Sequence, residues 1–127
     1  MAALTDYLAD AVRDHVLFNT AYTSPTTVYL ALFTTATTEA GGGTEVTGGS
    51  YARLAITFVT GATAGLATQN GALSFTAMPA CTVKAAAVMD ALTVGNMLIH
   101  GRLPVAVDVV GGGTFGLLDA DLKVLFD

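Results

Sequence analysis

Along the first eighteen residues the apolar positions recur at helical spacing. Leu4, Leu8, Val12 and Val16 lie four apart, flanked by Ala11, His15 and Leu17, while Asp6, Asp10, Arg13 and Asp14 fall largely on the other side. The spacing predicts a helix over residues 4–18, with Thr5 as its N-cap and Asp6 in the first turn, where the helix dipole favours an acid. Asn19 and Thr20 end the periodicity. One face is apolar, so this helix must lie either on its own domain or on a neighbouring subunit.

After it the period falls from 3.6 to about 2. VYLALF, Val28 to Phe33, is a compact apolar run of strand formers, and ARLAITFV over 52–59 alternates Leu54, Ile56 and Phe58 with Arg53, Ala55 and Thr57. Leu73 and Phe75 mark a short strand. Further strands are predicted over Thr82–Asp90, Asn96–Leu103, Val105–Val109, Thr114–Leu118 and Leu122–Phe126, separated by glycines, Pro104 or aspartates. MDALTVGN reads as a hairpin connection with Gly95-Asn96 supplying positive φ. About eight short strands after one helix, with no second helical pattern between them, predict a mainly β fold. The expected form is a single antiparallel β-sandwich domain over 1–127, jelly-roll-like, with the sandwich itself over 25–127.

Residues 39–53, EAGGGTEVTGGSYAR, hold five glycines. Gly43 to Gly48 has the spacing that opens a phosphate loop, but Gly49 and Ser50 stand where the lysine should be, and a strand pattern follows instead of a helix. Residues 34–50 therefore read as a long Gly/Thr-rich loop between strands, an adaptable arm that a neighbour could order.

Composition narrows the function. Of 127 residues 53% are hydrophobic and only 12% charged, about half the charge of an ordinary soluble domain; mean hydropathy is +0.62. Such a surface favours association with partners. The net charge of −5 and five scattered basic residues leave no stripe to neutralise phosphates, which excludes nucleic acid as a partner. No basic n-region and no run of 18 apolar residues exist, so neither a secretory signal nor a membrane span is expected. Cys81 is the single cysteine, so no internal disulfide forms.

Candidate chemistry is thin. His15 on the helix and His100 in a strand read as structural histidines, and Cys81 as a small buried thiol at a strand start. Ser24, Ser50 and Ser74 lack the G-x-S-x-G context of an esterase nucleophile. Asp119-Ala-Asp121 could touch a cation, but it reads better as a turn whose carboxylates bond backbone amides. No catalytic residue, cofactor or metal is expected. A sugar-binding module would need aromatic platforms; Tyr22, Tyr29 and Tyr51 are candidates, in a chain without tryptophan.

LTDYLADAVRDHV, TAYTSPTTVYLALFTTATTEAG, GTEVTGGSYAR, GNMLIHGRL and the closing DADLKVLFD resemble a group of small tailed-bacteriophage virion proteins often labelled phage tail fibre protein. The resemblance covers nearly all of residues 4–127 and is most specific at Tyr29–Phe33, Glu45–Arg53 and Gly95–Gly101. It departs in the middle, where Ala86 to Met89 carry alanine and methionine in place of aromatic residues. The resemblance implies a non-enzymatic structural protein of the virion. Size, β-rich build and low charge match head decoration or cement proteins, which implies a homo-oligomer, a trimer for preference, bound to the major capsid protein. The alternative is a tail fibre or other tail-associated protein whose partners are tail proteins or a host surface receptor. On either reading the expected contact residues lie in the glycine-rich segment: Glu39, Gly41, Gly42, Gly43, Thr44, Glu45, Thr47, Gly48, Gly49 and Tyr51.

Overall fold

A computed structural model describes residues 2–126. The chain is mainly β, with ten strands and one helix among the described residues, all their strand pairs antiparallel, in a sandwich-like arrangement. In chain order they are β1 (Ala2–Leu4), α1 (Asp6–Leu17), β2 (Val28–Phe33), β3 (Leu54–Ile56), β4 (Phe58–Thr60), β5 (Leu66–Gln69), β6 (Leu73–Met78), β7 (Cys81–Met89), β8 (Met97–Val109), β9 (Gly113–Leu117) and β10 (Lys123–Leu125). Three sheets form, in the orders β1-β8-β7-β2-β3, β10-β5-β4 and β6-β9.

The helix is shorter than its apolar spacing predicts. Leu4 belongs to β1, paired with Ile99 of β8, and the helix starts only after Thr5. The Thr5 side chain caps it by accepting from Leu8 N, and its hydroxyl donates to the carbonyls of Met97 and Leu98. Of the stripe, only Leu8 is buried within the domain; Val12, Val16 and Leu17 remain exposed.

The predicted strand 52–59 breaks at Thr57. Leu54–Ile56 pairs with β2, while Phe58–Thr60 pairs with β5 in another sheet. Thr57 stands at the corner and its carbonyl accepts from Asn70 N. β1 and β5 carry too short an apolar pattern to be read in advance. Conversely, Pro104 does not divide 96–109. β8 runs through it, and the register against β7 slips between Val83 and Ala85, so Pro104 sits in an irregular stretch where a missing N–H costs little. The hairpin between β7 and β8 also differs: positive φ falls on Val94 and Gly95, not on Asn96.

The main core lies between the inner face of the five-stranded sheet and β6-β9. Leu30, Leu32, Ile56 and Val83 meet Phe75, Met78 and Phe115 there, each such side chain contributing about 1.5–3 kcal/mol by leaving water. A second cluster joins Leu8 of the helix to Leu98, Ile99 and Val124. A third lies on the opposite sheet face, where Ala31, Ala85 and Ala87 are buried with Phe33, Met89 and Met97. The glycine-rich segment lies against that alanine face. It is held by its own chain: Thr34 N donates to Thr44 O, Val46 N to Leu32 O, and Thr37 Oγ1 lies 3.1 Å from His100 Nδ1. Gly43, at φ +132°, comes so near Phe33 that a β-carbon would stand 3.1 Å from the ring. The small residues at 85–87 thus leave room for backbone to lie flat on the sheet.

Candidate functional site

After β2 the chain turns through 34–44 and returns with Glu45 bridged to Phe33. This return aims the Glu45 carboxylate at Tyr51 and Arg53, the residue that leads into β3. The Tyr51 ring stacks on Phe75 with centroids 5.9 Å apart. Its hydroxyl accepts from Leu32 N at 2.9 Å and donates to Glu45 Oε2 at 2.8 Å. Arg53 donates Nε and Nη2 to the two oxygens of Glu45, at 2.9 and 2.8 Å, a bidentate fork. Its Nη1 reaches on to the carbonyls of Ala91 and Val94, at 2.8 and 2.7 Å. The Arg53 side chain is only 8% exposed.

The electrostatics follow from that geometry. Burial raises the Glu45 pKa, but the hydrogen bonds from Arg53 and Tyr51 and the charge of Arg53 outweigh it, and the net shift is downward. Tyr51 is pushed well above the ordinary phenol range, first by burial and then by the neighbouring carboxylate, against a lowering hydrogen bond from Leu32. The carboxylate is therefore fixed as an acceptor and the phenol as a donor.

What this clasp holds is the tip of the β7–β8 hairpin. Asp90 accepts from both the backbone and the side-chain nitrogen of Asn96, and Arg53 grips the carbonyls between them. Val94 is held at φ +56°, a conformation a β-branched residue rarely adopts, and 83% of its surface faces solvent. Leu92 beside it is 51% exposed. Next to this apolar tip, Tyr7, Glu39, Gly41, Asn96 and Met97 line a cleft of about 170 Å³. Helix start, glycine-rich segment and hairpin tip thus converge at one end of the molecule. Asp6 N donating to Glu39 O fixes the first two together.

The sequence-predicted contact residues fall into two groups. Glu39, Gly41, Gly42, Gly43 and Thr44 border this end, where Gly42 N and Thr44 N are tied to the hydroxyls of Thr38 and Thr35. Gly48 and Gly49 lie beside Pro79 instead, and Thr47 before them is exposed. A β-carbon on Gly49, at φ +55°, would come within 2.8 Å of Pro79 N and 2.9 Å of Ala77 O. Glu45 and Tyr51, half-buried, join the groups from inside. Sequence reasoning missed Arg53, Leu92, Val94 and Asn96. Arg53 alone had a signal: a cation in an apolar strand pattern, eight residues after Glu45.

The residues weighed for catalysis are dispersed. His15 Nδ1 accepts from Tyr22 N and ties the helix end to the following segment. His100 Nδ1 meets Thr37, while its Nε2 is buried with no hydrogen-bond partner among the described residues. Burial raises the Cys81 thiol pKa, which disfavours the nucleophilic thiolate. Asp121 accepts from the amide of Leu118, the local turn bond its position predicts, whereas Asp119 accepts from Gly71 N, 48 residues away, and ties the turn to the β5–β6 connection. Among the described residues no group of three or more His, Cys, Asp or Glu could hold a metal ion, and no helix is long and apolar enough to cross a membrane.

Comparison with known proteins finds one family. The family described as "Podophage GP4 fiber I protein gp80" matches residues 3–124. No curated protein matches the chain.

Proposed function

The chain belongs to this podophage fibre family, and from that premise we propose that it is a non-enzymatic structural component of a tailed-phage virion, working in the tail fibre apparatus. The family match along residues 3–124 carries this reading, because it spans the whole fold and not one motif. The match favours the fibre over the head decoration that size, low charge and β-rich build suggest. Head decoration rests on low charge and β-rich build, and both serve a fibre equally.

The working surface is the end where the clasp presents Leu92, Val94 and the cleft beside Tyr7. A preformed apolar tip lowers the ordering cost of association, and strained backbone persists where the surroundings over-determine it, often at functional sites. The outer partner is a protein of the tail. Immunogold labelling of intact virions with antibody against this chain tests the placement. Gold at the tail fibres is the expected result, and gold spread over the head would overturn it in favour of decoration. Soluble protein that blocks adsorption to host cells would move the partner from the tail to the cell surface.

A further inference from the structure

Between the inner face of the five-stranded sheet and the strands that cover it lies a cavity of about 270 Å³. The sheet itself hollows the floor. On this face Val88 stands opposite Ile99 across the β7–β8 ladder, but the next pair on the same face is Ala86 and Gly101, which bring almost no side chain. Leu30, fully buried, forms one wall, and Phe115 and Leu117 of β9 with Leu122 ahead of β10 form the others. β9 pairs only with β6 and β10 only with β5, so the covering strands part along this line. The exposed lining residues are Arg102, Pro104, Asp121 and Lys123, which puts the entrance between those two segments. Residues 103–106 have no partner in β7 there, because the register slips. Irregularities of this kind are over-represented next to active sites.

Walls and rim differ in character. The walls are hydrocarbon, whereas the rim carries charge. The chain has five basic residues in all, and carboxylates engage Arg13 and Arg53. Of the other three, Lys84, Arg102 and Lys123, two line this cavity, and among the described residues neither takes part in an ion pair. Asp121 beside them accepts from Leu118 N. In a protein of net charge −5, two cations gathered at an apolar mouth favour an anionic group there. Such a group stays at the surface and avoids the cost of burying a charge.

The volume sets the length of what enters. An apolar cavity of about 150 Å³ takes benzene, with six carbons, so about 270 Å³ takes roughly eleven. One alkyl chain of that length fits, and the two chains of a phospholipid do not. We infer that this cavity binds a medium-chain alkyl carboxylate, with its chain between the sheet and β9 and its head group at Arg102 and Lys123. The chain gains burial and dispersion contacts along the apolar walls. The inference is independent of whether the protein sits on the tail or the head.

Titration of the full chain with sodium decanoate, below its micelle concentration, tests it by calorimetry. Saturable binding of one equivalent is expected, with a melting temperature that rises with decanoate. The double variant Arg102→Gln, Lys123→Gln, changed only at exposed positions, is expected to lose roughly five-fold in affinity for decanoate and nothing for 1-decanol. Ala86→Leu, which fills the floor, is expected to abolish binding of both; should it fail to fold, the double variant decides alone. Uptake without saturation, a double variant that binds decanoate as wild type does or loses both probes equally, or a folded Ala86→Leu that still binds would each overturn the proposal.

Discussion

At the scale of single residues, the Arg53 guanidinium joins three segments: the return of the glycine-rich stretch at Glu45, its own strand, and the hairpin tip at Ala91 and Val94. Arg53→Met is expected to cost about 3 kcal/mol in urea unfolding, because it strands a partly buried carboxylate and two carbonyls. The acid limb of stability reports the same contact. The folded-state pKa of Glu45 lies below its ordinary value, so its contribution is present above the unfolded value and lost as pH falls through the folded one. Stability measured from neutral pH down through the carboxylate range should therefore fall more steeply in wild type than in Glu45→Gln. Val94 works in the opposite sense: Val94→Gly relieves its positive φ and should raise the melting free energy by roughly 0.5 kcal/mol, while weakening attachment to the tail if the tip is the contact. Sequence alone marked Glu45 and Tyr51 for partner contact. Their internal bonds to Arg53 and Leu32 were out of reach, since the three residues lie in segments whose mutual approach no local pattern encodes.

Among the elements, α1 shows how far a local signal goes. Thr5 as the cap and Asp6 in the first turn were both legible, because capping depends on neighbours within one turn. That the same hydroxyl also bonds two carbonyls of β8 was not. Thr5→Ala is expected to lower stability by about 1–2 kcal/mol in thermal unfolding, and Thr5→Ser to keep most of it. The strands follow the same division. Alternation over 52–59 identified β structure correctly, yet the chain changes sheets at Thr57 without changing its period. Periodicity states which side chains share a face, not which strand lies alongside. Pro104 misleads for a related reason: a ring that would break a regular central ladder is accommodated where the register slips.

Taken whole, the molecule combines an acidic, weakly charged surface with apolar features that its own fold leaves open. The isoelectric point near 4.6 leads to a solution prediction. Light scattering at low salt should rise as pH is lowered toward that value, where net repulsion vanishes. Exposed Val16, Leu17 and Phe18 at the helix end, Val94 at the hairpin tip and Val105 in the irregular stretch of β8 are separate surfaces. They fit a component that meets several neighbours in an assembly.

The sequence by itself determined the class of fold, the helix cap and the turn role of Asp121. All of these rest on residues close together along the chain. Tertiary structure decided the partition into three sheets, the corner at Thr57, the clasp of Glu45, Tyr51 and Arg53, and the placement of residues 34–45 over the alanine face. Those features depend on strand pairing between distant segments, where many registers satisfy the same alternation and only the packing of the whole chain selects one.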